Sequence, residues 1–224
     1  MTKFLISILL VLSAYSTICQ TEDALLWTSA AVDGKINKDF NFELNTQFRF
    51  DDNMSRLSSA FFQSAIDYEI GKLLKLAVGY RFSNKRRNEN YSLNNRLFSD
   101  LNFDYEIFDD FDLEIRLRAQ HDFDRFNSIN NYIFPSKRSL IRIRYGLEYS
   151  MNDWKPSISH ELFFNINERS FSRYRLNLAL GYKISKRHSV KIGYTFQQKQ
   201  ADMILNEHIY KFGYSYTVKG KLID

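Results

Sequence analysis

Arg116-Leu117-Arg118 and Arg142-Ile143-Arg144 each set two guanidiniums two residues apart, and Glu161 follows one segment later. Side chains at i and i+2 share one face of an extended strand, so each pair aims two cations the same way. Arg118, Arg142, Arg144 and Glu161 fall close together if the turn near 150–154 sets the register of the segments around it. A guanidinium carries its donors in a planar fork that matches two oxygens at once, so this group could bind a carboxylate, a phosphate or a sugar acid. The competing use is an internal network with Glu161 and Asp122, because buried charges are usually paired.

Other chemistry has thinner support. A lipid acyl hydrolase needs a Ser nucleophile beside a His with an orienting acid. His121, His160 and His208 share a face with the outward serines Ser64 and Ser99, neither on an adjoining strand at matching height, and His188-Ser189 point to opposite faces. The sequence therefore points away from an enzyme, with His160 the one residue a hydrolase could be built on. One cysteine and four scattered histidines give no metal spacing, and no phosphate loop or dinucleotide fingerprint is present, so neither a metal nor a cofactor is expected. The basic stretch Ser83-Asn84-Lys85-Arg86-Arg87-Asn88 fits either a solvated loop or contact with polysaccharide or lipid phosphates.

The elements that must carry these residues repeat with period two. Phe40, Phe42, Leu44, Thr46, Phe48 and Phe50 interleave with Asn41, Glu43, Asn45, Gln47 and Arg49. The same alternation recurs from Ala60 to Ile70, Leu74 to Phe82, Leu97 to Ile107, Phe111 to Phe123, Ile141 to Tyr149, Pro156 to Ile166, Tyr174 to Ile184, Val190 to Phe196 and His208 to Val218. That predicts ten strands. No apolar-face position in them is Asp, Glu, Lys or Arg, whereas the opposite faces carry basic and acidic side chains in equal number.

Volume decides which face points outward. A barrel of this size could not hold so many Phe, Tyr, Leu and Ile side chains inside. Gly79, Gly146, Gly181, Gly193 and Gly213 lie on the polar face, where missing side chains relieve crowding in a narrow interior. Short turns (Gly71-Lys72, Phe108 to Asp110, Asn152-Asp153, Ser185 to His188) alternate with longer polar connections near 51–57, 83–93, 124–138, 167–172 and 199–206. Membrane barrels keep short turns on the periplasmic side and long loops outside, so ten strands would leave both termini in the periplasm. Tyr68, Tyr105, Tyr149, Trp154, Tyr182, Tyr214 and Tyr216 would form one aromatic girdle, and Phe50, Tyr80, Phe82, Phe123, Phe164 and Phe196 the other. A balanced lining favours a filled interior over a strongly ion-selective pore, which would show one sign of charge.

The chain has 224 residues with 31 basic and 26 acidic side chains, 16% aromatics and a mean hydropathy of −0.40. Disorder, a disulfide scaffold and a helical membrane protein are excluded. Residues 1–19 (MTKFLISILLVLSAYSTIC) read as a secretory signal peptide that is removed. Residues 20–38 form an N-terminal segment in which 24–34 also reads as a strand, paired through Lys35 to Asp39 with the next; it would make eleven, close a barrel of twelve with a further strand, or lie as a partial strand near the rim, and 39–224 is the barrel domain.

Short motifs extend this pattern. Trp27 to Gly34 ahead of a strand ending in Arg49, Gly79-Tyr80-Arg81-Phe82, Arg116-Leu117-Arg118, Tyr145-Gly146-Leu147, Trp154-Lys155-Pro156 with Glu161-Leu162-Phe163, and Arg173-Tyr174-Arg175 occur in order. In these the chain resembles the domain-of-unknown-function 2490 family of Gram-negative exported proteins. The resemblance implies an outer-membrane β-barrel and, since the family has no established activity, transfers no functional residue. Barrels of this kind commonly end in an aromatic residue, whereas this chain continues Val218 to Asp224, leaving Tyr214 and Tyr216 to supply an assembly signal.

The expectation is therefore an all-β, antiparallel up-and-down transmembrane barrel of about 10 to 12 strands in the cell outer membrane. Its role would be structural or passive permeation, with an anion- or sugar-acid-binding barrel as the alternative. Expected partners are outer-membrane lipids, the barrel-assembly machinery and small anionic solutes, with no nucleic acid, and the barrel would be a monomer.

Overall fold

The computed structural model describes residues 23–87, 90–124, 138–200 and 204–221; the expected signal peptide lies outside them. Eleven strands follow one another along the chain: β1 (Asp23–Lys35), β2 (Phe40–Asp51), β3 (Arg56–Ile70), β4 (Leu74–Arg87), β5 (Asn90–Phe108), β6 (Phe111–Asp124), β7 (Arg138–Tyr149), β8 (Trp154–Asn165), β9 (Ser170–Lys183), β10 (His188–Gln200) and β11 (Ile204–Lys221). Each pairs antiparallel with its neighbours in sequence, and β1 meets β11 to close the barrel.

That closing pair is parallel. Strands that reverse direction at every turn leave the first and the eleventh running the same way, so an odd barrel must contain one parallel seam. Residues 24–34 are therefore a full barrel strand, and the expected placing of both termini at the short-turn end is corrected. Asp23 sits opposite Glu207 at the other end, while Lys35 and Lys221 pair at the turn end.

The ten expected strands are β2 to β11, but several run further than the alternation indicated. β4 continues to Arg87, β5 starts at Asn90 and β11 at Ile204, so the basic stretch expected as a loop is strand through Arg87. The expected contrast of long and short connections shrinks at those two connections, while the expected loop at 124–138 lies largely outside the described residues. One tight connection joins β2 to β3, where Asp52, Asn53 and Met54 all adopt positive φ. The Asp23 carboxylate accepts hydrogen bonds from the Asp52 and Asn53 amides at 3.1 and 2.8 Å, which ties β1 to this strained turn.

The uncharged face is the outer one. Val78 is 58% exposed and Phe62 50%, whereas the inward Arg118 and Glu161 are 5% and 4% exposed. Rings pair across strands at the turn end, as in Phe40–Tyr68, Phe111–Tyr149 and Trp154–Tyr182 with centroids 5.0, 4.6 and 4.5 Å apart. At the loop end Phe164 meets Phe171 at 5.5 Å. Gly146 is inward because crowding demands it: a Cβ there would come 2.6 Å from that of Ser159. Gly193 and Gly213 have a different role, opening a cavity described next.

Candidate functional site: a basic lumen divided in two

Neighbouring strands carry the inward residues of the middle third in register. Arg118 of β6 faces Arg142 of β7, Arg144 of β7 faces Glu161 of β8, and Glu161 faces Arg175 of β9. Two residues toward the loop end, Arg142, Phe163 and Arg173 stand side by side. Four large rings interrupt this polar face, namely Trp27, Phe61, Phe98 and Phe163. Each carries guanidiniums: Arg49 lies 3.9 Å from Trp27, Arg81 3.8 Å from Phe61, Arg118 4.1 Å from Phe98 and Arg142 4.6 Å from Phe163. Arg175 bridges two of them, 4.7 Å from Phe163 and 5.1 Å from Trp27. A weakly hydrated planar cation stacks well on a ring, and the ring spaces like charges apart.

The expected quartet is split by its ion pairs. Arg142 Nη2 donates to Glu161 at 2.6 Å. Glu161 also accepts from Arg116 at 3.1 Å and from Arg175 at 3.3 Å, so three guanidiniums cradle one carboxylate. Arg118 turns the other way and grips both oxygens of Asp100 at 2.5 Å. Arg144 reaches Glu114 at 3.3 Å. Asp122, expected to pair within the quartet, is held instead by Arg96 at 2.5 and 2.8 Å. Arg116 and Arg175 complete the cradle that the quartet omitted, and Gln197 anchors Arg175 from β10.

Two cavities meet at this layer. The one toward the loop end, the vestibule, has a volume of about 420 Å³ and, among the described residues, is lined by ten Lys or Arg against four Asp or Glu. The inner chamber measures about 280 Å³, with six Lys or Arg and Glu161 as its one acid. Trp27, Arg142 and Arg175 line both and form the wall between them. Small residues of β8 to β11, such as Ser157, Ala179, Gly193 and Gly213, open the inner chamber.

Equal numbers of charges along the strands thus conceal an axial separation. Acids gather toward the turn end of β2 to β7, where Asp104 meets Lys75 at 3.2 Å and Asn41 donates to Asp67 and Glu69. Guanidiniums fill the middle and the loop end. Arg49 bonds Gln47 at 2.7 Å and Arg81 bonds Gln63 at 2.6 and 3.0 Å, both neutral amides. Among the described residues no carboxylate lies within 4.0 Å of Arg49, Arg81 or Arg173. Among the described residues, the Nε atoms of Arg138, Arg142, Arg144 and Arg173 are buried without an acceptor.

On the outer face the histidines bond hydroxyls of adjoining strands. His160 Nδ1 lies 2.8 Å from the Tyr145 hydroxyl, and His121 Nδ1 lies 2.9 Å from Ser139 Oγ. Ser139, on the early part of β7, is an outward serine that sequence reasoning missed.

No curated protein matches the sequence. Among solved structures, the chain is similar to an anion-selective porin from Comamonas acidovorans at 9% identity and a TM-score of 0.38, covering 77% of this chain. It spans 55% of the length of that porin. A family described as "Protein of unknown function (DUF2490)" matches residues 24–204, and the chain belongs to that family.

Proposed function

We propose that the protein is an integral outer-membrane barrel that admits and binds small anionic solutes through its loop-end vestibule. The membrane part rests on the outer surface, where large apolar side chains such as Phe62, Val78, Leu97 and Phe212 stand at 50–58% exposure around the barrel. Such a band would be costly in water and fits hydrocarbon. Outer-membrane lipids would cover it, the barrel-assembly machinery would insert it, and it would act as a monomer. Export would depend on residues 1–19.

One observation carries the anion reading. Arg49, Arg81 and Arg173 line a vestibule where, among the described residues, ten basic groups face four acidic ones and none of the three has a carboxylate within 4.0 Å. Cations withdrawn from bulk water need a counter-charge, and here a solute supplies it. The role assigned to the barrel is binding and passage, with no catalytic step.

Bilayer recordings of the refolded barrel under a potassium chloride gradient test this. A reversal potential on the chloride side is expected, reduced when Arg49, Arg81 and Arg173 are all changed to Gln. Cation preference, or silence combined with no detectable anion binding by the folded barrel, would overturn the proposal.

A further inference from the structure

Glu161 lines the inner chamber beside the wall that divides it from the vestibule. Arg142 and Arg175, two of the three residues in the dividing wall, are both bonded to it, and Arg116 holds it from the inner chamber. Three cations around one carboxylate leave a surplus of positive charge. Arg142 Nε is itself buried with no acceptor. Glu161 is only 4% exposed, so this carboxylate is enclosed and does not sit at a solvated rim.

Building on the anion-uptake reading, we infer that Glu161 is a resident competitor. An incoming carboxylate takes over its guanidiniums, and this exchange links the vestibule to the inner chamber. The present occupant identifies the chemical class. Arg116 and Arg142 both address Oε1 while Arg175 addresses Oε2, an arrangement for a planar two-oxygen group. Above the wall, Arg173 and Arg49 line the vestibule with no carboxylate within 4.0 Å among the described residues. The solute is therefore a small polycarboxylate, with one carboxylate in the cradle and another anionic group in the vestibule.

Calorimetric titration of the full refolded barrel with citrate, and with sulfate at matched ionic strength, tests this on wild type and Glu161→Gln. Removing one like charge at contact distance while keeping side-chain shape is expected to tighten citrate binding about tenfold. Citrate should exceed sulfate in both proteins. If wild type binds citrate and the variant binds it equally or more weakly, Glu161 is a structural counter-ion and the inference fails, while the anion-uptake reading stands. Stronger binding of sulfate than citrate removes the carboxylate assignment. If neither protein binds either anion, the inference fails, and the functional proposal falls with it when the bilayer recordings are also silent. Should Glu161→Gln not refold alone, citrate but not sulfate in the refolding buffer is expected to restore the heat-modifiable barrel. Failure of that rescue overturns the exchange.

Discussion

Arg118 and Arg142 are directly opposed partners on β6 and β7, yet their guanidiniums turn away from each other, one to Asp100 on β5 and the other to Glu161 on β8. Two like charges at one register position are tolerated because each is claimed by an acid on the far side. The pairing organises the lumen into separate units, a closed pair on β5–β6 and an open, over-cationic cradle on β6 to β9.

The closed unit should behave as structure. Asp100→Asn leaves Arg118 buried and unpaired and is expected to destabilise the barrel by about 3–5 kcal/mol, read from denaturant unfolding in micelles. Adding Arg118→Met to that variant should recover much of the loss. Additive losses in the double variant would refute the pairing.

Trp27 should act as a partition. Trp27→Ala removes one of the three wall residues and is expected to raise single-channel conductance by joining the cavities. Lost packing against Leu25 and Ile209 should cost about 3–5 kcal/mol of stability. Trp27→Phe, which keeps a ring beneath Arg49, should stay near wild type in both respects.

Salt should separate the two classes of interaction. Raising ionic strength from 0.1 to 1 M shortens the Debye length from about 10 to about 3 Å, so anion binding in the vestibule is expected to weaken steeply. Buried pairs are screened far less, and the cost of Asp100→Asn should hardly move. Equal salt sensitivity of both would contradict the assignment of Arg118 to a closed pair.

The parallel seam can be tested by cross-linking. Ala31 of β1 and Ser215 of β11 are register partners, so Ala31→Cys with Ser215→Cys should form a disulfide on oxidation and change gel mobility. Ala31→Cys with Lys211→Cys, displaced along β11, should not. Cross-linking of the displaced pair in preference to the aligned one would place β1 elsewhere.

Much of this fold is legible in the sequence because one face of each strand is free of charge, and period two leaves little freedom in assigning faces. Residues 24–34 are legible as a strand paired with the next through Lys35 to Asp39, but their second partner is not, since nothing local in Trp27 or Val32 states which strand closes the ring. The strand extensions escape for a simpler reason. Around Ser92, Asn94 and Asn95 both faces are polar and the alternation fades. Arg96, Arg138 and Arg173 belong to such stretches, and counting without them makes a basic vestibule look neutral. Arg142 with Glu161 follows from register, but the side to which an arginine turns depends on competing acids, as Arg118 shows with Asp100. The inward rings of Trp27, Phe61, Phe98 and Phe163 lie on the polar face, an exception that alternation alone does not account for. Their stacking under Arg49, Arg81, Arg118 and Arg142 gives that exception its physical meaning.

The β1–β11 seam also governs how the molecule can be made. Its contacts have the greatest sequence separation in the chain, joining Asp23 to Glu207 and Lys35 to Lys221. Until β11 arrives, β1 shows an unpaired edge, and an incomplete chain is a curved sheet with two such edges open to foreign strands. Closure is then a single late event that carries a large loop-closure entropy. Anything that shields the edge of β1 before β11 arrives would raise the yield of folded barrels without changing the stability of the finished one.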